Sequence, residues 1–398
     1  MNVSKVSLLG LVAAMALGVF AEPSVTVTRV AQRYPWNGLV DIDYTVADVP
    51  DPFYFAVDFE ISGMRDGQPF KVKASTFLQG EPAASNGLNR ATWDANADGE
   101  TFQSGSCNVT AKLRVKPIRS DGDYMIIDLA ESTNAALWRI SYMSNVDDPE
   151  ATFNTDEYKT SKILLKKVPA GTFLMGTVPG TDDEATIDNK DNGEDPQHEV
   201  TISKPFFMGV FKLTDEQYRL ITGTNTSYNA QYLKNKPTYH CGSLSKKLLE
   251  SGNSVLTLLN AKARFMGSEV GTFGLPTEAQ WEYACRAGTT TRRFFDETTE
   301  TLDDYAVSST WAGVGTKKPN PWGFYDMYGL TFEHVQDETG RYPDKAETDP
   351  CHRGGWGIIL RGAANSAALS KYRSAARTTG SAASTSGEYA VRLVLTLD

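Results

Sequence analysis

The sequence predicts two folded parts in tandem. An all-β, immunoglobulin-like sandwich covers residues 22–150, and an α+β domain covers 163–398, with a linker at 151–162. Three observations carry this reading. The early chain alternates apolar and polar residues in short runs, the period of half-buried strands. A polar stretch from Ser144 to Lys162, containing Asp147-Asp148-Pro149, then interrupts the pattern. Beyond it, short apolar runs are mixed with segments that open as helices.

In the first part the runs are Ser24–Thr28, Gly38–Val46, Phe53–Ile61, Pro69–Ala74, Cys107–Val115 and Tyr124–Leu129. Turn dipeptides punctuate them: Asp66-Gly67, Asn86-Gly87, Asp98-Gly99 and Asp121-Gly122. Six short strands with such breaks fit a β-sandwich. No catalytic residue types collect here, which leaves a spacer or adhesion role. In the second part Thr214-Asp-Glu-Gln217 and Thr277-Glu-Ala-Gln280 are capping boxes, where the Thr hydroxyl accepts from the backbone N–H three residues on. Trp281, Ala284 and Cys285 follow the second box on one helical face, and Gly288 ends that helix. A third helix is expected over Val255–Phe265.

Composition narrows the class of function. Hydrophobic residues make up 40% and charged residues 22%, as in a packed globular chain. The formal charge of −10 argues against nucleic acid or an anionic membrane as partner. At the N-terminus, Lys5 precedes the uncharged apolar stretch Val6–Phe20, and Val19-Phe20-Ala21 fits a cleavage site before Glu22. That stretch, about 15 residues, is short for a membrane span. We therefore expect residues 1–21 to be a signal peptide, and the mature protein to be secreted, periplasmic or at the cell surface without spanning a membrane. Four cysteines, Cys107, Cys241, Cys285 and Cys351, admit three complete disulfide pairings. The neighbours His240 and His352 also admit a zinc site.

Two motifs invite chemistry. The acidic segment Thr181–Pro196 approaches an EF-hand, with Asp188, Gly193 and Glu199 at its first, sixth and twelfth positions. Lys190 puts a cation where the third ligand is required, so a solvated loop is expected. Further on, Asn320-Pro-Trp-Gly-Phe-Tyr-Asp-Met327 leads into Tyr328-Gly-Leu-Thr-Phe-Glu-His334. Aromatics broken by glycine fit tightly turned β-structure, and Asp326 and Glu333 flank its glycine turn. The plain alternative for those two carboxylates is capping or surface charge. There is no G-x-S-x-G, no G-x-x-x-x-G-K-[ST] and no H-E-x-x-H.

From about Ile163 onward the chain resembles the sulfatase-modifying, or formylglycine-generating, family. The resemblance rests on Val168–Gly176, Glu194–Val200, Phe206–Tyr218, Leu275–Ala284, Asn320–Met327, Leu360-Arg-Gly362, Tyr372–Arg377 and Ala390-Val-Arg392. It implies a C-type-lectin-like α+β fold with little regular secondary structure. The family's enzymes resemble one another in a cysteine pair that binds copper(I) and activates oxygen to oxidise a substrate cysteine, work that suits soft thiolate ligands. Alignment on Tyr372 puts Ala364 and Leu369 at those positions, and alignment on Arg361 puts Ala367 and Tyr372 there. No cysteine occurs after Cys351, so copper is not expected. The iron-dependent C–S-bond-forming relatives are a poor match, since this chain lacks an H-x-x-x-H pair. The family's calcium loop corresponds to Gly329–His334. It implies a structural calcium ion held by the Asp326 and Glu333 carboxylates and the Gly329 and Thr331 carbonyls.

The expectation for function is a non-catalytic ligand-binding or structural module on a lectin-like scaffold. Gly362–Glu388 is rich in Ala, Ser and Thr, and in the fold that the resemblance implies this region lines a shallow site open to a protein, peptide or carbohydrate. Retroelement-diversified proteins resemble it in this respect. The alternative is an oxidoreductase using Cys351-His352 with Cys241 or Cys285.

Overall fold

The computed structural model describes residues 22–397 except 35–36, 50–54, 66–67, 101–106, 116–121, 131–136, 178–192, 226–235, 243, 250, 252–253, 266–269, 308–311, 365–366 and 387. The expected signal peptide and most of the acidic segment, including Asp188 and Lys190, lie outside the described residues.

The first unit runs to residue 118. It contains β1 (Ser24–Gln32), β2 (Leu39–Ala47), β3 (Phe55–Arg65), β4 (Gln68–Ala74), β5 (Gly87–Asp94) and β6 (Cys107–Val115). They form two antiparallel three-stranded sheets, ordered β1-β2-β5 and β4-β3-β6. Strict alternation in β2 puts Ile42, Tyr44 and Val46 inside. Tyr44 meets Phe59 of the other sheet edge-on, ring centroids 5.1 Å apart, so the two inner faces make one sandwich core. The predicted sandwich is present, with one exchange of strands. β5, read from sequence only as a turn at Asn86-Gly87, takes the place of Tyr124–Leu129.

That last run belongs to the second unit, so the boundary expected near residue 150 lies at 118/119. β7 (Tyr124–Asp128) pairs with β8 (Trp138–Met143) and β9 (Lys162–Val168). Its burial is nearly continuous rather than alternating, because both faces are covered. The expected linker 151–162 is likewise structured. Asp148 caps a helical turn at Pro149–Phe153, and Phe153 and Tyr158 pack together beside Tyr124.

The remaining strands of this unit are β10 (Gly171–Met175), β11 (His198–Ile202), β12 (Phe206–Gly209), β13 (Ala263–Arg264), β14 (Thr272–Gly274), β15 (Phe332–Glu338), β16 (Glu347–Thr348), β17 (Ile358–Arg361), β18 (Arg377–Gly380), β19 (Tyr389–Ala390) and β20 (Val394–Thr396). A seven-stranded sheet is ordered β13-β8-β7-β9-β12-β20-β14, so β20 lies inside the sheet, next to its edge strand β14. Smaller sheets are ordered β18-β17-β15-β19 and β10-β11-β16. Three helices of about two turns accompany them: α1 (Asp215–Thr222), α2 (Val255–Lys262) and α3 (Glu278–Arg286). Both predicted capping boxes form, each contributing about 1 kcal/mol. α2 stops three residues short of its expected end. This is the α+β arrangement expected. Among the described residues no helix is long and apolar enough to cross a membrane.

Candidate functional site

The centre of the second unit is ionic. α3 is pinned by the Thr277 cap, and its Glu278, Glu282 and Arg286 are all buried. Glu282 Oε1 accepts from the Gly176 N–H at 2.9 Å and from Arg286 Nε at 2.8 Å, while Oε2 accepts from Arg361 of β17 at 2.5 Å. Arg377 of β18 forks onto Glu278 at 2.7 and 2.9 Å, and Arg373 pairs with Glu194 at 2.9 Å. Burial pushes the Glu282 carboxyl upward, but Arg286 and Arg361 outweigh it and hold the group below its ordinary range. Such a lattice ties two sheets to one helix and keeps its charges buried. The Tyr372–Arg377 motif is structural here.

A second ionic cluster holds the residues predicted to bind calcium. Asp326, Thr331 and Glu333 are buried, so these carboxylates are not surface charge. The Lys212 ammonium lies among them. It donates to the Thr331 carbonyl at 2.7 Å and pairs with Glu333 Oε1 at 2.8 Å. Arg392 forks onto the same carboxylate at 2.7 and 2.9 Å and also donates to the carbonyls of Gly209, Val210 and Tyr325. Trp281 Nε1 donates to Glu333 Oε2 at 2.8 Å. Asp326 Oδ2 accepts from the Gly315 N–H at 2.8 Å, and the Gly329 carbonyl accepts from the Thr331 N–H at 2.8 Å. Burial first, then Arg392 and Lys212, act on Glu333; the two cations win and hold it at about 2. Calcium needs six to eight oxygens at about 2.3–2.6 Å. Here a lysine already occupies two of the four expected donors, and backbone N–H groups occupy the other two. These contacts make Asp326, Gly329, Thr331 and Glu333 a poor fit for calcium, whose binding there stays an expectation of the resemblance.

β15 also carries two buried titratable groups of opposite effect. Burial depresses His334 to about 4 and raises Asp337 to about 6, Asp337 being pushed further by Glu278. Between pH 6.5 and 4 the unfolded chain binds more protons at His334, so stability falls with acid. Between pH 6 and 3.8 the folded chain binds more at Asp337, so stability rises with acid. The two contributions nearly cancel. Asp337→Asn is expected to leave His334 unopposed, so that melting temperature falls more steeply from pH 6.5 to 4.5 than in the parent protein; calorimetry over that window checks this.

The residues at the family's cysteine positions carry no thiol. Ala364 is buried and its carbonyl accepts from the Tyr372 hydroxyl at 2.6 Å; Leu369 is exposed, and Ala367 packs against the core. Cys241, Cys285 and Cys351 are unpaired thiols, the first two buried. Burial pushes Cys285 up to about 12, and Cys241 and Cys351 also upward, the reverse of an activated thiolate. Among the described residues no three metal-ligating side chains are grouped, and the two Cys-His pairs do not assemble. The Cys107 side chain lies outside the described residues.

A groove of about 460 Å³ is lined by Glu338, Trp356, Ile358, Thr379, Ser381 and Ala383, with neighbouring backbone. The Trp356 side chain stands at its rim, 85% exposed. Its loop is fastened: Glu338 Oε2 accepts from the Gly354 and Gly355 N–H groups at 2.6 and 3.0 Å, and the Gly357 N–H donates to Thr339 Oγ1. Sequence reasoning placed the small-residue floor but missed Trp356; the signal was a lone tryptophan between glycines. A hollow of about 650 Å³ lies near Gln197, Arg286 and Thr291.

The model of the "Sulfatase-modifying factor enzyme 1-like domain" matches residues 150–397. The chain belongs to the sulfatase-modifying factor family. Among curated proteins, this family member is 28% identical over 198 residues to the serine/threonine-protein kinase pkn1 of Chlamydia pneumoniae, covering 46% of this chain. It is 28% identical over 195 residues to the pkn1 of Chlamydia caviae, again covering 46% of this chain. The match spans only 30% of the length of either relative. Among solved structures it is similar to PvdO from Pseudomonas aeruginosa, at 22% identity and TM-score 0.48, covering 59% of this chain and 94% of that one. It is also similar to the Treponema denticola variable protein 1, at 19% identity and TM-score 0.47, covering 59% and 95%.

Proposed function

We propose that this family member is a non-catalytic ligand-binding module whose binding surface is the groove beside Trp356. One observation carries the reading. A large aromatic side chain stands in solvent on a fastened loop, over a floor of Thr379, Ser381, Ala382 and Ala383. Leaving a tryptophan exposed forgoes its burial, and a flat ring beside small hydroxyl side chains suits stacking with a sugar face or packing with an extended peptide. The fastened loop lowers the ordering cost of binding. The N-terminal sandwich then acts as carrier, and the chain is exported.

Screening the mature protein against glycan and peptide arrays tests this. For any ligand found, Trp356→Ala is expected to weaken binding by roughly 30-fold, the scale of an aromatic anchor, with an unchanged melting temperature. Equal binding by that variant refutes the groove. The oxidoreductase alternative is tested by copper(I) titration with an oxygen-dependent assay on a cysteine-containing sulfatase-motif peptide. Neither stoichiometric copper nor aldehyde formation is expected, and the appearance of both overturns the non-catalytic reading.

A further inference from the structure

The geometry points to Lys212 as a resident cation: its ammonium does permanently, inside the chain, what the family resemblance assigns to a calcium ion. Lys212 sits just after β12, while its partners Thr331 and Glu333 lie 119 and more positions away around the start of β15. Its side chain is fully buried, as are those of Glu333 and Arg392. The contacts at 2.7 and 2.8 Å join a carbonyl and a carboxylate, the two donor types a hard cation would take. Charge argues the same way. Lys212 and Arg392 both contact the one Glu333 carboxylate, so a divalent ion added here would bring further positive charge into a site without solvent, which is strongly unfavourable. Lysine suits the position because its ammonium is a compact point charge, whereas the planar fork beside it falls to Arg392.

The intact chain therefore holds this turn together without metal. The test uses the full mature chain, freed of metal with EGTA. For the parent protein, calcium at about 5 mM is expected to move the melting temperature by less than about 1 °C, because a site that binds no ligand gains nothing by mass action. Terbium, sensitised through the neighbouring Tyr325, is expected to show no stoichiometric emission. Lys212→Met keeps the volume without the charge; it is expected to melt about 5 °C or more below the parent and to be unmoved by calcium. If Lys212→Met does not fold, the parent measurements still decide. Calcium-dependent melting of the parent protein, or a Lys212→Met variant as stable as the parent, overturns the proposal.

Discussion

Arg392→Lys is expected to destabilise the second unit by about 3–5 kcal/mol, although charge is conserved. The native guanidinium satisfies five acceptors: both Glu333 oxygens and the carbonyls of Gly209, Val210 and Tyr325. An ammonium has three donors on a thinner stem and cannot span that fork, so at least two buried acceptors are stranded. Each is costly because no water reaches them. Urea unfolding followed by tryptophan emission reports the change directly, since Trp281 is fully buried and donates to the same Glu333 carboxylate. A loss below about 1 kcal/mol would show that the cluster relaxes, and the account of it as a rigid clamp would fail.

Glu282→Gln is expected to cost a similar amount, about 3–5 kcal/mol, from the other ionic cluster. The change is nearly isosteric, which isolates charge and hydrogen bonding from packing. The amide keeps one acceptor but turns an N–H pair toward a guanidinium, and Arg286 and Arg361 lose the carboxylate they share. Glu216→Gln on α1 is the natural control. Its partner Arg219 is three residues away and half-exposed, so that pair is worth less than about 0.5 kcal/mol. If the two substitutions have equal effects, burial does not set the value of these ion pairs.

Local chemistry was legible in the sequence and distant partnership was not. The helices at Thr214 and Thr277 were readable because a capping box is complete within four residues. The alternation of β2 was equally plain, since one of its faces is buried. β7 pairs with β8 and β9 outside the sandwich, because strand period and turn dipeptides say nothing about which sheet a strand joins. The motif Tyr372–Arg377 was visible as a pattern, but its arginines find Glu194 and Glu278 across about a hundred residues or more. The same limit explains the calcium expectation. Asp326 and Glu333 advertise a cation, and nothing near them in the chain announces that Lys212 supplies it. Trp356 escaped notice because exposure is a property of the fold, not of a tryptophan between two glycines.

The position of β20 sets the order in which this protein can be completed. β20 lies between β12 and β14, and Arg392, just before it, clamps Glu333. While the ribosome still holds residues 392–396, the sheet lacks an inner strand and the glutamate lacks its guanidinium. The unit therefore closes late, in one step that joins three distant segments. Until then β12 and β14 present pairing edges to any extended peptide nearby. Nascent chains of this protein are thus most exposed to chaperones, and to one another, until β20 has been made and paired.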